Sequence, residues 1–186
     1  MQNVMLDLET MGVGPRAAII SIGAIEFDPA TQKLGRTFYQ NVDLASSVAC
    51  GGEMDADTVM WWVQQSAGAR LALKSTLAVD LKTALEKFAQ WLSHCEVSYP
   101  FVEKNPLLWG NGSDFDNVVL ASAYDACGLE RPWSFRNNRC YRTLKNLFPD
   151  KKLFPPVGGT AHNALDDARW QAQHLLNIFA SLKEQA

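Results

Sequence analysis

The sequence predicts an α/β fold in which a mixed sheet, first an antiparallel meander and then parallel strands, is flanked by helices. Three observations lead to this prediction. Three strand-like segments follow one another within the first 42 residues, helical periodicity dominates the remainder, and the apolar segment "PLLWG" passes into a helix through a Gly-rich turn. A strand that enters a helix in this way is the usual start of an α/β crossover.

The three strands of the meander are predicted from apolar runs bounded by turn residues. Residues 2–8 form the first strand, the Ile-rich segment 18–27 the second, and the alternating segment 33–42 the third. The second segment is too continuously apolar for the edge of a sheet. The turn "DPATQ" joins the second and third strands, so we expect them to be antiparallel neighbours.

Helical spacing begins after the meander. Asp55 or Asp57 can cap a helix over "ADTVMWWVQQ", and "SAGARLALKS" is predicted to continue as a short helix. The segment 80–95 is amphipathic, and after a fourth strand at 106–110 further helices are expected in "NGSDFDNVVLASAYDAC" and "RCYRTLKNLF". The last predicted helix runs from about Ala164 to Leu182. The apolar stripe of the 80–95 helix consists of Leu81, Ala84, Leu85, Phe88 and Leu92.

Length and composition predict one globular domain over residues 1–186. The 186 residues are 47% hydrophobic, which is sufficient for a sizeable core. The sequence contains neither a membrane-spanning apolar stretch nor a signal-peptide pattern, so we expect a cytoplasmic protein with no membrane partner. The four cysteines stand far apart without a C-x-x-C pair, which argues against a zinc site or a disulfide framework and predicts reduced thiols.

The basic residues are unevenly distributed. A formal net charge of −3 disfavours a protein that coats nucleic acid non-specifically. Seven of the seventeen Lys and Arg residues nevertheless lie between Arg131 and Lys152, with Asp150 as the only acid. Arg139, Arg142 and Lys145, at steps of three, would form a cationic stripe on one helix, and a solvated helix face is the alternative interpretation.

Two carboxylates stand close together in the first predicted strand. In "VMLDLETMG", Asp7 and Glu9 are two positions apart and would therefore point to the same face of the strand. Like charges at that separation destabilise each other, and a hard divalent cation such as Mg²⁺ or Mn²⁺ would neutralise them. The alternative is an edge strand with a solvated acidic face.

Two later segments place acidic side chains where α/β sheets collect ligands. "WGNGSDFD" puts Asp114 and Asp116 after a strand, and "GGTAHNALDDA" puts His162, Asp166 and Asp167 at the entry to the last helix. Each segment by itself is also compatible with helix capping. His162 follows a Gly-Gly-Thr loop and precedes a carboxylate by five residues, a setting that His94 and His174 lack.

In this order, D-x-E, F-D and H-x-x-x-x-D resemble the DEDDh family of 3′-5′ exonucleases over nearly the whole chain. Within that family, the chain resembles most the prophage-type enzymes of the exodeoxyribonuclease VIII-like and ribonuclease AS group. The segments that carry this likeness are "WGNGSDFDNVVL", "MDADTVMWWVQQSAGAR", "RCYRTLKNLFPD" and "GGTAHNALDDA". The resemblance implies an RNase H-like sheet whose four carboxylates bind two divalent cations, while a histidine activates water. The matching positions are Asp7, Glu9, Asp116, His162 and Asp167. Asp114 and Asp166 match no catalytic position and are interpreted as capping or outer residues.

The resemblance also implies a substrate, the 3′ end of single-stranded nucleic acid, with DNA favoured and RNA tails as the alternative. Grooves for single strands combine base stacking with backbone charge. Core packing is the alternative for the tryptophans. The candidates for substrate contact are Met11, Trp61, Trp62 and Trp109 for the bases, and Arg139, Arg142 and Lys145 for the phosphates.

Two alternatives to an active enzyme come from other classes of protein. An inactive nucleic-acid-binding module of the same fold would normally lack one of the five catalytic residues, and here all five positions are filled. An interaction protein would require five independent capping or surface roles. Because relatives in the family often pair, a homodimer is a further possibility that the resemblance raises.

Overall fold

The structure, a computed structural model, describes residues 3–93, 106–160 and 162–184. Within these residues, five strands form one sheet in the order β3-β2-β1-β4-β5. The strands are β1 (Asn3–Thr10), β2 (Ile19–Asp28), β3 (Lys33–Asn41), β4 (Leu107–Gly110) and β5 (Asn138–Cys140). The first three pair antiparallel, whereas β4 is parallel to β1 and β5 is parallel to β4. The predicted α/β fold with a mixed sheet is confirmed.

Six α-helices accompany the sheet in the described part of the chain. They are α1 (Leu44–Ala49), α2 (Ala56–Gln64), α3 (Leu81–Ser93), α4 (Asp116–Ala126), α5 (Tyr141–Leu147) and α6 (Ala164–Glu184). Asp55 is the residue that caps α2, because its carboxylate accepts the backbone N–H of Thr58, while Asp57 lies in the first turn. The predicted continuation of this helix is a separate 3₁₀ helix, Ala69–Lys74.

β1 lies at the centre of the sheet, and both of its faces are covered. Val4 and Leu6 belong to the core beneath α3 and α4, whereas Met5 belongs to the core beneath α6. Since side chains alternate along a strand, Asp7 and Glu9 lie on the same face as Met5, towards α6. The alternative of an edge strand with a solvated acidic face is thereby excluded.

The amphipathic stripe predicted for α3 is buried as expected. All five of its apolar residues are at most 4% exposed and pack on the sheet. His94 and Cys95, at the end of that prediction, lie outside the described residues. Cys50, Cys127 and Cys140 are free thiols. No helix among the described residues is long and apolar enough to cross a membrane.

The beginning of α6 packs directly on the backbone of β2. A Cβ on Gly23 would lie 2.2 Å from the carbonyl carbon of Ala164, so only glycine permits this approach. Gly23 is the register partner of Asp7 in the neighbouring strand. The close approach therefore brings the first turn of α6 next to the carboxylates of β1.

Two elements differ from the sequence prediction. Arg139 and Cys140 were expected to begin a helix, but they belong to β5, and α5 begins at Tyr141. β5 has three residues that pair with β4, which is too short to produce a periodic pattern of its own. The helix α1 was not predicted, because six residues capped by Asp43 carry no apolar period.

Candidate active site

Asp7 and Glu9 form the part of the site contributed by β1. Glu9 is 8% exposed and Asp7 is half-buried. They pair in register with Gly23 and Ser21 of β2, and the pairing shifts just after Glu9. The strand thus presents two carboxylates side by side at its carboxyl end, as the D-x-E spacing predicted.

Asp116 enters the site from the first turn of α4. Its carboxylate accepts the backbone N–H of Leu8 at 3.2 Å and that of Asn111 at 2.8 Å, and the residue is 3% exposed. β4 ends at Gly110. Beyond that point the Asp116 carboxylate, instead of a backbone carbonyl of β4, accepts the hydrogen bond from Leu8 of β1. A Cβ on Gly110 would lie 3.0 Å from the Cβ of Asp116, which explains glycine at the end of this strand.

His162 and Asp167 come from the start of α6. The amide oxygen of Asn163 caps the helix by accepting the N–H groups of Leu165 and Asp166, as the capping pattern indicated. The backbone N–H of His162 donates to Asp167 Oδ2 at 3.1 Å, and His162 has a left-handed backbone with φ 62°. Non-glycine residues in that conformation cluster at functional sites.

The contributions from β1 and α6 meet in one cluster. One ligand atom from each of Glu9, His162 and Asp167 can be chosen so that all three lie within 4.8 Å of one another. Asp7 lies near enough to this cluster for the charges of Asp116, Glu9 and Asp167 to raise its pKa. Glu9, His162 and Asp167 therefore form one cluster at the end of β1, with Asp7 and Asp116 within electrostatic reach of it.

The electrostatics of the cluster favour a bound cation. Burial, followed by the charges of the three neighbouring carboxylates, raises the pKa of Asp7 well above its ordinary value. Burial and the charges of Asp167 and Asp116 raise the pKa of Glu9 to about 8. Carboxylates in such surroundings take up protons unless positive charge replaces them.

The pKa values of Asp116 and Asp167 are also raised by burial, but more hydrogen bonds and charges lower them again. Burial raises both pKa values. Three backbone N–H groups, those of Asn111, Leu8 and Asp116 itself, and the charge of Arg142 oppose the rise at Asp116. The backbone N–H and the ring of His162 oppose it at Asp167. Four crowded carboxylates with one imidazole are a donor set that suits a hard divalent cation, so the residues present fit such an ion.

Two neighbours of the cluster lie outside the five catalytic positions. Sequence reasoning missed Gln171 but named Trp61 as a candidate for substrate contact. Gln171 Nε2 donates to Asp7 Oδ1 at 2.7 Å. Trp61 packs edge-on against the ring of His162, with the ring centroids 4.7 Å apart. The signal that could have found Gln171 is its spacing, because a residue four positions after Asp167 lies on the same helix face.

The aromatic and methionine candidates for substrate contact differ in how much of each side chain is exposed. Met11 and Trp62 are 5% and 2% exposed and pack in one apolar cluster, and the Trp62 indole N–H donates to the carbonyl of Thr10. Trp109 is also buried, with its N–H on Asn3. Trp61 is 39% exposed, so it is the tryptophan among the candidates with a surface open to a substrate.

The basic candidates lie on two different elements. Arg142 is exposed on α5, and its Nη2 donates to the carbonyl of Asn111 at 2.6 Å, in the loop that leads to Asp116. Arg139 lies in β5, and its guanidinium donates to the carbonyls of Arg136 and Asn138. The prediction that three basic residues share one helix is therefore wrong, because the helix begins two residues after Arg139.

Asp114 and Asp166 were interpreted as capping or outer residues, and the structure gives contacts for Asp166. Asp166 accepts the backbone N–H of Thr160 at 3.0 Å and pairs with Arg169 at 3.5 Å. A Cβ on Gly159 would lie 2.6 Å from the Asp166 carboxyl carbon, so this side chain fixes the loop before His162. Asp114 is exposed in the loop that precedes α4.

The mixed sheet, with carboxylates at the end of its central strand and a histidine before its last helix, has an RNase H-like arrangement and carries a candidate hydrolytic site. The model of one family, described as the 3′-5′ exoribonuclease Rv2179c-like domain, matches residues 2–179. The chain belongs to this family and is a hydrolase, a 3′-5′ exonuclease. No curated protein matches the sequence.

Solved structures share the fold at low sequence identity. The nuclease domain of 3′hExo, a DEDDh family member bound to rAMP, superimposes with a TM-score of 0.65 at 16% identity, covering 97% of this chain and 92% of that one. A 3′-exonuclease that recognises the histone mRNA stem-loop gives 0.66 at 15% identity, with 97% and 82% covered. The zinc-bound complex of E. coli ExoI with single-stranded DNA gives 0.63 at 14% identity, and this chain spans 99% of its own length and 41% of that protein.

Proposed function

We propose that the protein removes nucleotides from the 3′ end of single-stranded RNA, in a reaction that depends on two divalent cations, Mg²⁺ or Mn²⁺. The observation that carries this proposal is the gathering of four carboxylates and His162 at the end of β1. RNA is preferred over the DNA that the sequence alone favoured, because the family is described as exoribonucleases. DNA remains the second candidate, since a similar structure holds single-stranded DNA.

Each catalytic residue has a role that follows from its surroundings. Asp7, Glu9, Asp116 and Asp167 would hold the cations, which when bound supply the positive charge that the phosphate and the attacking water need. His162 would accept the proton of that water, because its ring lies among the carboxylates that would hold the cations. The hydrogen bond from the backbone N–H of His162 to Asp167 fixes the residue, and the edge-on contact with Trp61 packs against its ring.

A cavity next to His162 is suited to the sugar and base of a strand end. It is an open groove of about 400 Å³ whose walls combine apolar surface with neutral hydrogen-bonding groups. These groups include Tyr39, Asn41, Ser75, Thr76, Thr160 and Asn163. Hydroxyl and amide groups can read a 2′-hydroxyl, which distinguishes RNA from DNA at a single position. The lining thus supports a nucleoside here, while charged groups elsewhere would hold phosphate.

The substrate contacts are assigned by exposure. We expect Trp61 to offer a stacking surface, in place of the buried Trp62, while Met11 supports the floor beneath it. Arg142 is the basic residue best placed to meet a phosphate, because it adjoins the loop that carries Asp116. Arg139 keeps a role as a second phosphate contact, further along β5.

Several broader predictions belong to the same proposal. We propose one exonuclease domain over residues 1–186, most similar to the prophage exodeoxyribonuclease VIII-like and ribonuclease AS group. A cytoplasmic, phage-related role and a homodimer stay predictions. The alternative to an active enzyme is an inactive nucleic-acid-binding module of the same fold, and an activity assay distinguishes the two.

The test is digestion of matched single-stranded RNA and DNA oligonucleotides labelled at the 5′ end, with Mg²⁺ or with chelator. We expect a metal-dependent ladder that shortens from the 3′ end, faster on RNA, and lost in Asp116→Asn. Asp114→Asn is the matched control, since it makes the same change two positions earlier, in the loop before α4, on an exposed side chain. A faster ladder on DNA would select the second candidate, and intact substrate that still shifts on a gel would select the binding module.

A further inference from the structure

Gln171 lies on α6, one turn after Asp167, where the helix packs against β1. The residue is 5% exposed, and its side-chain amide donates to Asp7 Oδ1 at 2.7 Å. We propose that Gln171 is a positioning residue that orients the Asp7 carboxylate for cation binding. This inference rests on the proposed function, because it assigns Asp7 to the cation site.

Asp7 depends on Gln171 more than its neighbours depend on any one side chain. Asp116 is held by two backbone N–H groups, and Asp167 is held by the N–H of His162. Among the described residues, the hydrogen bond that the structure gives to the Asp7 carboxylate comes from Gln171. Without it, the rotamer and the plane of this carboxylate would be set by repulsion from the adjacent acids alone.

The chemistry of an amide fits this position. The N–H group occupies one lone pair of Oδ1 and leaves Oδ2 and the remaining lone pair free for cations. A lysine here would itself neutralise the cluster and compete with a metal, whereas a glutamate would add a fifth negative charge. A neutral donor orients Asp7 without changing the charge of the site.

The other end of the side chain argues against a simple packing role. Gln171 Oε1 is buried and has no hydrogen-bond partner among the described residues. Burying an unpaired amide oxygen destabilises a fold, and an apolar residue of the same length would avoid it. The retained amide is therefore explained by what its nitrogen does for Asp7.

The experiment measures Mn²⁺ binding to the full chain by isothermal titration calorimetry, without nucleic acid, for Gln171→Met. Methionine keeps the length and removes the donor. We expect the affinity for Mn²⁺ to fall roughly 10-fold to 100-fold, the usual effect of losing a partner of a metal ligand. Gln173→Met is the matched control, because Gln173 lies on the same helix and bonds Asn177 away from the carboxylates.

A double-mutant cycle separates positioning from general damage. In the Asp7→Asn background, Gln171→Met should weaken Mn²⁺ binding no further, since the carboxylate it orients is gone. Gln171→Asn, which keeps the amide on a shorter stem, should bind Mn²⁺ with intermediate affinity and serves if the methionine variant fails to fold. With chelator, the unfolding temperature of each variant shows whether the fold is intact.

The outcomes distinguish this inference from the proposed function. Mn²⁺ affinity within about twofold of wild type in Gln171→Met, or equal losses in Gln173→Met, would overturn the positioning role. So would additive effects in the cycle with Asp7→Asn. Failure of the wild-type protein itself to bind Mn²⁺ and to digest either oligonucleotide would instead overturn the proposed function.

Discussion

Glu9 is a buried carboxylate whose pKa is raised by its surroundings. Burial and two neighbouring carboxylates raise its pKa to about 8, so near neutral pH the metal-free protein holds a proton that an exposed glutamate would have lost. A divalent cation and that proton compete for the same oxygens. Metal binding should therefore release protons, and the stability of the metal-free protein should depend on pH.

The first prediction concerns this pH dependence. The folded protein binds more protons at Glu9 than the unfolded chain does between the ordinary value of 4.5 and about 8, so the free energy of unfolding falls as pH rises. Buried His174 acts in the opposite sense below pH 6.5, because its pKa is lowered to about 4. From pH 6.5 to 8, with chelator, we expect a loss of about 2 kcal/mol, or about 4–8 °C in the unfolding temperature.

The control for this prediction is Glu9→Gln, which removes the titrating group at the same size. Its unfolding temperature in chelator should change less over the same pH range, and excess Mg²⁺ should restore the wild-type protein at pH 8. A wild-type unfolding temperature that is flat in chelator, measured by calorimetry, would contradict the electrostatic account of the cluster.

At the scale of elements, the site depends on how closely α6 approaches the sheet. The helix supplies Asp167 and Gln171, and β1 supplies Asp7 and Glu9, so the separation of the two elements sets the geometry of the cluster. Gly23 of β2 fixes that separation, because its backbone lies against Ala164. A change at this glycine should therefore act on the chemistry without touching a catalytic side chain.

The second prediction is that Gly23→Ala weakens both the fold and the cation site. A Cβ would lie 2.2 Å from the Ala164 carbonyl carbon, which must move α6 outward. Overpacking of this kind costs about 1–3 kcal/mol, and we expect weaker Mn²⁺ binding in the same calorimetric titration. Gly14→Ala is the control, since a Cβ there meets nothing within 4 Å. Equal unfolding temperatures and Mn²⁺ affinities in the two variants would show that α6 is not held by this contact.

The elements that the sequence predicted are those with a strong period of their own. The stripe of α3 and the apolar β2 were found because burial forces such patterns, and the spacing of Asp7 and Glu9 placed them correctly on one face. β5 was missed because its pairing with β4 is tertiary and involves three residues. Trp62 shows the same limit, since the burial of its ring leaves no local signal. The spacing of Gln171 from Asp167 places it on the right helix face, but its hydrogen bond to Asp7, 164 positions away, is tertiary.

The whole molecule is acidic, although its proposed substrate is a polyanion. With a net charge of −3 and four carboxylates at the proposed point of cleavage, long-range attraction contributes little to binding a nucleic acid. Binding must then depend on bound cations and on a few local basic groups. Arg142 is such a group, because it is exposed and bonds the loop that leads to Asp116.

The third prediction is that Arg142→Gln raises the KM for single-stranded 3′ ends by roughly fivefold, about 1 kcal/mol, in the presence of Mg²⁺. If Arg142 meets one phosphate, the plot of log affinity against log salt should also become shallower by about 0.7. Lys152→Gln makes the same change of charge on the 3₁₀ helix Lys151–Leu153, whose Leu153 carbonyl bonds Asn177 of α6. We expect that control to leave KM and the salt slope close to wild type. Equal changes in both variants would mean that net charge, and not a contact at Arg142, governs binding. A normal salt slope with a lower kcat in Arg142→Gln alone would mean that Arg142 holds the loop that leads to Asp116.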